Sequence, residues 1–300
     1  MTEQLENLEP RCGFAAIIGA PNAGKSTLIN RTVGAKVCIV THKVQTTRAR
    51  IRAIAIKDQT QIIFVDTPGI FAPKRSLDEA MVAAAWDGAE NADTVVLLID
   101  AKSGLTDEAR RIVEQLASAG TKAVLALNKI DLLKREQLLA LAQECNQLHS
   151  FAETFMISAE TGSGVEDLKN HIAAKLPVGP WLYPEDQIAD LPMRLLAAEI
   201  TREKLYLRLH QELPYASTVE TESWKQQKDG SVRIEQVIYV ERESQRKIVL
   251  GKAGQTIKAL GQAARKDIAE SLDQPVHLFL FVKVRKNWGS DPERLKMMGL

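Results

Sequence analysis

The chain offers little from which to build a disulfide scaffold, a zinc cluster or a membrane span. Its three cysteines, Cys12, Cys38 and Cys145, are odd in number, widely spaced and without a Cys-x-x-Cys pair, so they read as reduced thiols. The five histidines (His42, His149, His171, His210 and His277) are scattered, with none at metal-ligand spacing, and no structural metal is expected. The longest aliphatic run, Val95 to Ile99, is far short of a bilayer crossing, and the acidic first ten residues contain no apolar stretch resembling a secretory leader. A soluble, cytoplasmic protein is the expectation. Charge of one sign is also missing: the net charge is +1, so any surface that attracts nucleic acid must be local. There is no internal repeat or low-complexity tract. What is present is a 45% hydrophobic content over 300 residues, enough to bury a full core and to form two domains.

Short apolar runs at 14–18, 51–56, 61–65, 95–99, 123–127 and 154–157 alternate with helix-patterned segments at 26–33, 77–90, 107–118, 136–148 and 165–176. That alternation predicts an α/β domain with a mostly parallel sheet over residues 13–177, behind an N-terminal extension of residues 1–12. Four prolines and several acids between Pro177 and Pro192 interrupt any period, which places a linker at 178–192. Beyond it the pattern changes to a smaller α+β domain over 193–300. The expected order is a helix at 193–207, strands at 217–226 and 231–240 joined through Lys228-Asp229-Gly230, a helix, a Gly-x-x-Gly turn, a second helix, and a strand at 276–284.

The first apolar run leads into Gly19-Ala20-Pro21-Asn22-Ala23-Gly24-Lys25-Ser26, followed by a helical segment starting Ser26-Thr27. This is the strand, loop and helix context of a phosphate-binding P-loop. The glycines let backbone N–H groups and the helix N-terminus face phosphate, while Lys25 reaches the β/γ-phosphates and the Ser26 hydroxyl ligates Mg²⁺. Asp66-Thr67-Pro68-Gly69 ends the 61–65 run, where Asp66 can hold Mg²⁺ and the Gly69 N–H can meet a γ-phosphate whose loss releases the loop. Asn128-Lys129-Ile130-Asp131 ends the 123–127 run. A buried Asp131 carboxylate accepting from guanine N1–H and the 2-amino group selects GTP over ATP, since the wrong base leaves it unpaired. Ser158-Ala159-Glu160 completes the base pocket, with the Ala159 N–H toward guanine O6. Gln45-Thr46-Thr47-Arg48 lies in a polar segment suited to a mobile loop, and Thr47 is favoured over Thr46 as a further Mg²⁺ ligand. Ile70 stands where many signalling GTPases carry a water-orienting glutamine, so the intrinsic rate should be on the order of 10⁻⁴ to 10⁻² s⁻¹.

In the second half, Gly251-Lys252-Ala253-Gly254 sits between two helices, as does the loop with which a KH domain clamps about four nucleotides. The element order matches the type II KH arrangement. From Ser244 to Lys286 there are nine Lys or Arg, among them Lys252, Lys258, Arg265 and Lys266, against three acids: a local excess of +6 in a chain whose total is +1. Ile248, Val249, Ile257 and Leu260 divide between groove floor and core in a way the sequence leaves open.

Together, Gly-x-Pro-Asn-x-Gly-Lys-Ser, Gln-Thr-Thr-Arg, Asp-Thr-Pro-Gly, Asn-Lys-x-Asp and Ser-Ala-Glu-Thr-Gly resemble the Era family of bacterial GTPases. The likeness continues through Glu203-Lys204-Leu205, Glu212-Leu213-Pro214-Tyr215, Val240-Glu241-Arg242-Glu243, Ala264-Arg265-Lys266-Asp267 and Pro275-Val276-His277-Leu278. The resemblance implies a GTP/GDP switch with Mg²⁺ that binds single-stranded RNA near the 3′ end of 16S ribosomal RNA and acts in 30S subunit assembly. It further implies K⁺ at Asn22, which joins Lys25, Thr47 and Gly69 as a catalytic candidate. A monomer, no DNA partner and peripheral association with the inner membrane complete what it implies. Two rival readings are a constitutive RNA-binding protein with a structural nucleotide site, which intact Lys25, Ser26, Asp66 and Asn128 argue against, and a tRNA-modification-type GTPase, which the KH pattern disfavours.

Overall fold

The computed structural model describes residues 9–41, 43, 46–48, 51–209, 213–298 and 300. Gln45 of the candidate switch segment, Glu212 and most of the expected N-terminal extension lie outside the described residues. The chain divides into two compact units, one of residues 1–38, 47–190 and 297–300, the other of residues 39–46 and 191–296.

In the first unit, strands β1 (Arg11–Ile18), β2 (Ile51–Lys57), β3 (Thr60–Asp66), β4 (Thr94–Asp100), β5 (Ala123–Asn128), β6 (Thr154–Met156) and β7 (Ala189–Asp190) form one sheet in the order β6-β5-β4-β1-β3-β2-β7. β1 pairs in parallel with both β3 and β4, and β4-β5-β6 continue in parallel; β2 is antiparallel to β3 and to β7. Helices α1 (Lys25–Val33), α2 (Ser76–Glu90), α3 (Asp107–Ala119), α4 (Arg135–Leu148) and α5 (Val165–Lys175) connect the strands. The inner strands are apolar along nearly their whole length because both faces are covered, as the buried runs of β3, β4 and β5 record. Leu97, Ile99, Leu125 and Leu127 pack against Ile112, Val113 and Leu116 of α3 in the core.

Two expectations need correction. β1 begins at Arg11, inside the expected extension, because Arg11 N donates to Gln59 O at 3.0 Å and Cys12 N to Pro177 O at 3.2 Å. The stretch expected to be a linker is fastened to the first unit as far as Asp190. The Gln61 side chain, fully buried, accepts from Leu182 N (2.9 Å) and Tyr183 N (3.0 Å) and donates to Tyr183 O (2.8 Å), so it stands in for a strand backbone. Prolines abolish helical period, but this pairing needs none.

The second unit contains α6 (Met193–Arg208), β8 (Ser217–Gln226), β9 (Val232–Val240), α7 (Glu243–Leu250), a 3₁₀ turn Lys252–Gly254, α8 (Gln255–Leu272), β10 (Val276–Val284) and a short α9 (Pro292–Met297). The sheet order is β10-β9-β8, with β9 and β10 parallel and β8 and β9 antiparallel. At the β8–β9 turn, Gly230 takes φ 82° and Asp229 Oδ1 accepts from Ser231 N at 3.0 Å. α6 and α8 cover one sheet face through Ala197, Ile200, Ala264 and Ile268 against Val232, Ile234 and Val276. The open question of the aliphatic residues resolves here: Val249 and Leu260 are core, Ile257 is half-buried, and Ile248 is 57% exposed. Helix α9 carries no pattern that the sequence reading registered; its Arg294 lies 4.1 Å from the Tyr239 ring centroid and pairs with Glu220 at 2.9 Å.

Candidate active site and nucleic-acid loop

The four nucleotide motifs follow the carboxyl ends of β1, β3, β5 and β6. β1 lies between β4 and β3, where the strand order reverses, and there an open parallel sheet leaves a crevice for a ligand. The P-loop runs from Gly19 into α1, which starts at Lys25 immediately after a left-handed Gly24 (φ 100°). A Cβ at Gly24 would lie 2.2 Å from Asn128 Nδ2, and one at Gly19 (φ 153°) would lie 2.3 Å from Leu98 O, so both positions require glycine. Asn22 has φ 62° and is exposed at the tip. Ala20, Pro21, Ala23 and Thr27 complete the turn and the first helical residues.

Lys25 is buried and its Nζ donates to Gly19 O (3.1 Å) and Ala20 O (3.0 Å). Burial lowers its pKa to about 8, with Asp66 pulling the other way. Ser26 Oγ, Thr47 Oγ1 and Asp66 Oδ2 meet: Ser26 to Thr47 is 3.0 Å, and each hydroxyl donates to Asp66 at 3.1 Å. Burial pushes the Asp66 carboxyl up, against the lowering effect of Lys25 and of bonds from Cys38, Ser26 and Thr47. Asp66 Oδ1 is buried with no hydrogen-bond partner among the described residues. An oxygen-only donor set around an unmatched carboxylate oxygen fits a hard cation such as Mg²⁺. Next to it, Thr67 Oγ1 donates to Ile17 O (2.8 Å), Pro68 and Gly69 are buried, and a Cβ at Gly69 would approach Pro21 to 3.0 Å. Ile70 N donates to Gly19 O (3.1 Å) and its side chain is buried, so it presents no polar group at the phosphate end.

At the base end, Asn128 is buried; its Nδ2 donates to Ala23 O (2.8 Å) and its Oδ1 accepts from Ala159 N (2.9 Å). Ser158 Oγ accepts from Thr161 N at 3.1 Å, while Glu160 is exposed and its carbonyl accepts from Arg31. Asp131 differs from the expectation of a buried carboxylate: it is exposed on a 3₁₀ turn, Ile130–Leu132, because Ile130 N turns inward to Ile157 O (3.3 Å). The Ala159 N–H, expected to face guanine O6, is already engaged by Asn128.

Two supporting residues escaped the sequence reading. Asp100, at the end of β4 and in register with Asn128, pairs with Lys129 Nζ at 2.6 Å, and Lys129 also donates to Asn22 O at 2.9 Å. Arg31 on α1 donates to Ala159 O at 3.2 Å. A strand ending in a carboxylate at the same sheet edge as the motifs was the available signal for Asp100; nothing in the spacing marks Arg31.

In the second unit, Gly251 has φ 72° and Gly254 φ 76°, with Ala253 left-handed between them at φ 49°. A Cβ on Gly251 would fall 2.1 Å from Thr256 Oγ1. Lys252 and Ala253 are exposed on the turn, and Lys258, Arg265 and Lys266 are exposed on α8. The loop therefore offers main-chain N–H groups at a helix start beside unburied cations, a combination suited to a phosphodiester backbone.

Residues 14–129 match the family model described as 50S ribosome-binding GTPase, and residues 212–289 match the KH domain model. The chain is 66% identical to GTPase Era of Sinorhizobium medicae over 97% of its own length and 94% of the relative's. It is 64% identical to GTPase Era of Brucella suis over 99% and 96%. Among solved structures, a point variant of Aquifex aeolicus Era bound to GDP·AlF₄⁻ superposes with a TM-score of 0.91 at 38% identity, covering 96% of this chain and 99% of that one. Era in complex with MgGDPNP and nucleotides 1506–1542 of 16S ribosomal RNA gives the same TM-score and identity, with coverage of 97% and 99%.

Proposed function

Since the chain belongs to the Era family of GTPases, we propose that it is a guanine-nucleotide switch that holds the 3′ end of 16S ribosomal RNA on its KH domain and acts in assembly of the 30S subunit. The observation that carries the nucleotide half is the convergence of Ser26, Thr47 and Asp66 around an unmatched, buried Asp66 oxygen next to Lys25. These residues would hold Mg²⁺, which when bound supplies positive charge to the phosphate oxygens. Lys25 neutralises the β/γ-phosphates, backbone N–H groups of residues 22–26 orient them, and Gly69 N–H follows the γ-phosphate. Asp131 and the 158–160 loop read guanine. With Ile70 apolar, no side chain at that position orients the attacking water, in keeping with slow turnover.

The RNA half rests on the Gly251–Gly254 turn and its cations, and on the relative whose complex contains 16S RNA, whereas the GTPase family model's description names the 50S subunit. The domain limits of this reading are those expected, except that the GTPase domain begins with β1 at Arg11 and includes residues 178–190 in place of a free linker; the KH domain spans 193–300. The reading extends to a cytoplasmic monomer without a DNA partner. Peripheral association with the inner membrane belongs to the same reading; among the described residues no helix is long and apolar enough to cross a membrane. K⁺ at Asn22 belongs to the same reading: hydrolysis should run faster in K⁺ than in Na⁺ at equal ionic strength, and Asn22→Ala should flatten the difference. Crosslinking to total RNA with a GTP analogue, GDP or no nucleotide tests the whole. Enrichment of the 16S 3′ end that changes with nucleotide is the expected result; 23S fragments, or no dependence on nucleotide, would overturn it.

A further inference from the structure

The sheet of the second unit has two faces, and β10 shows which of them is filled. Leu278, Leu280 and Val282 pack into the cores beneath α6 and α8, and α8 comes so close that a Cβ on Gly261 would lie 3.4 Å from Leu280. Side chains alternate along a strand, so Phe279 and Phe281 point the other way, away from the helix layer that carries the Gly251–Gly254 turn. They are 41% and 49% exposed, and among the described residues no other Phe, Tyr or Trp is exposed. Arg233 of β9 lies 4.3 Å from the Phe279 ring centroid. At the other end of that face Tyr239 is buried beneath Arg294 of α9. From Val276 to Lys286 the chain carries Lys283, Arg285 and Lys286 and no acid. Arg233 pairs with Glu235, Lys283 with Glu222 and Arg285 with Asp291, all through half-exposed cations. Exposed pairs hold weakly, so these cations can turn to a phosphate.

We propose that this face is a second surface for single-stranded RNA, on which Phe279 and Phe281 each stack one base. A strand rises about 3.3 Å per residue, so the two rings stand about 6.6 Å apart. An extended single strand can set successive bases on rings so spaced, whereas a duplex keeps its bases about 3.4 Å apart and stacked on one another. Exposed aromatics two residues apart on a sheet strand are the device by which other RNA-binding sheets take up unstacked bases. A protein partner would need only the apolar area; the cations beside Phe279 and at the end of β10 favour a polyanion. The inference rests on the reading of the second unit as RNA-binding, and adds to it a site outside the Gly-x-x-Gly loop.

The test uses the full chain and 16S 3′-end oligonucleotides of increasing length, with Lys252→Asp/Ala253→Asp as the reference for the loop. Wild-type affinity should rise as the RNA grows beyond the roughly four nucleotides that the loop clamps; in Phe279→Ala/Phe281→Ala that rise should disappear. Against the longest RNA each single alanine variant should bind about tenfold more weakly and the pair about 100-fold. The log–log salt slope should not change, because no phosphate contact is lost. Phe279→Leu/Phe281→Leu keeps the apolar area without the rings and should bind as poorly as the alanine pair, whereas Phe281→Trp should bind at least as well as wild type. Thermal melts report folding, and if the alanine pair melts early the leucine pair and Phe281→Trp carry the test. Wild-type affinity in a folded alanine pair, with the loop variant impaired, would overturn the surface and leave the loop reading in place. A leucine pair that binds like wild type would overturn stacking. So would a dimer of the RNA-free protein, seen by sedimentation, that the alanine pair abolishes, since the face would then belong to a second copy. Wild-type affinity in both the loop variant and the alanine pair would overturn the RNA reading and the inference with it.

Discussion

In the proposed site a single carboxylate, Asp131, decides the base. The side chain stands exposed on a turn held by Ile130 N to Ile157 O, so its acceptors are free to meet N1–H and the 2-amino group. Asp131→Asn turns one acceptor into a donor. Preference should move from GTP toward xanthosine triphosphate by at least about 100-fold, the scale set by leaving a polar group unpaired; competition binding with the two triphosphates measures it. Lys25 gives a second prediction at this scale. Its pKa of about 8 in the nucleotide-free protein lies below that of a free lysine, because burial penalises the ammonium. A bound phosphate favours the ammonium and raises that pKa. Below about pH 7 the residue is protonated before and after binding, so affinity for GDP should be flat; above about pH 8 binding must take up a proton, and affinity should fall by up to tenfold per pH unit. Calorimetry at about pH 8.5 in buffers of different ionisation enthalpy should detect that uptake, and equal heats in all buffers would contradict it.

Among the elements, the turn between α7 and α8 invites a change that leaves its glycines intact. Lys252 and Ala253 are exposed, and Ala253 already occupies left-handed space that aspartate tolerates. Lys252→Asp/Ala253→Asp should therefore fold, lose RNA binding by about 100-fold or more through repulsion of phosphate, and keep intrinsic GTP hydrolysis near wild type. Filter binding with a 16S 3′-end oligonucleotide beside a GTPase assay checks both. Helices and strands were legible where period and punctuation agreed: β8 and β10 fall on the expected residues, and α6 and α3 miss by one residue at one end. The P-loop, the Asp66 and Asn128 motifs and the Gly251–Gly254 turn could be located because each follows a strand or separates two helices. What stayed illegible depends on contacts rather than pattern. Gln61 acts as backbone for 182–183, β7 is two residues long, and Val40 and Thr46 bond to side chains of α6 through main-chain atoms that any sequence would supply. The exposure of Asp131 likewise follows from a three-residue turn with no periodic signature.

For the molecule as a whole, a net charge of +1 forbids long-range attraction to RNA, while a +6 excess is confined to residues 244–286. The salt dependence of RNA binding should then report only the few phosphates met by that segment. A log–log slope of about −2 to −4 is expected, using about −0.7 per phosphate on a single strand. Lys258→Gln and Arg265→Gln should each shallow it by roughly one phosphate, whereas charge changes elsewhere should leave it alone. Ionic-strength titrations of binding measure the slope, and a value near that of a uniformly basic protein would contradict a confined footprint. The double engagement of Asn128, to Ala23 O on one side and Ala159 N on the other, has a consequence for how the ligand is counted. One amide sets the spacing between the part of the site that grips the diphosphate and the part that reads the base, before either arrives. Guanosine and pyrophosphate as separate molecules each meet half of a fixed gauge and each lose their own freedom of motion. Joined by the ribose they lose it once, so the nucleotide gains a chelate advantage that belongs to neither half and disappears if the gauge is allowed to stretch.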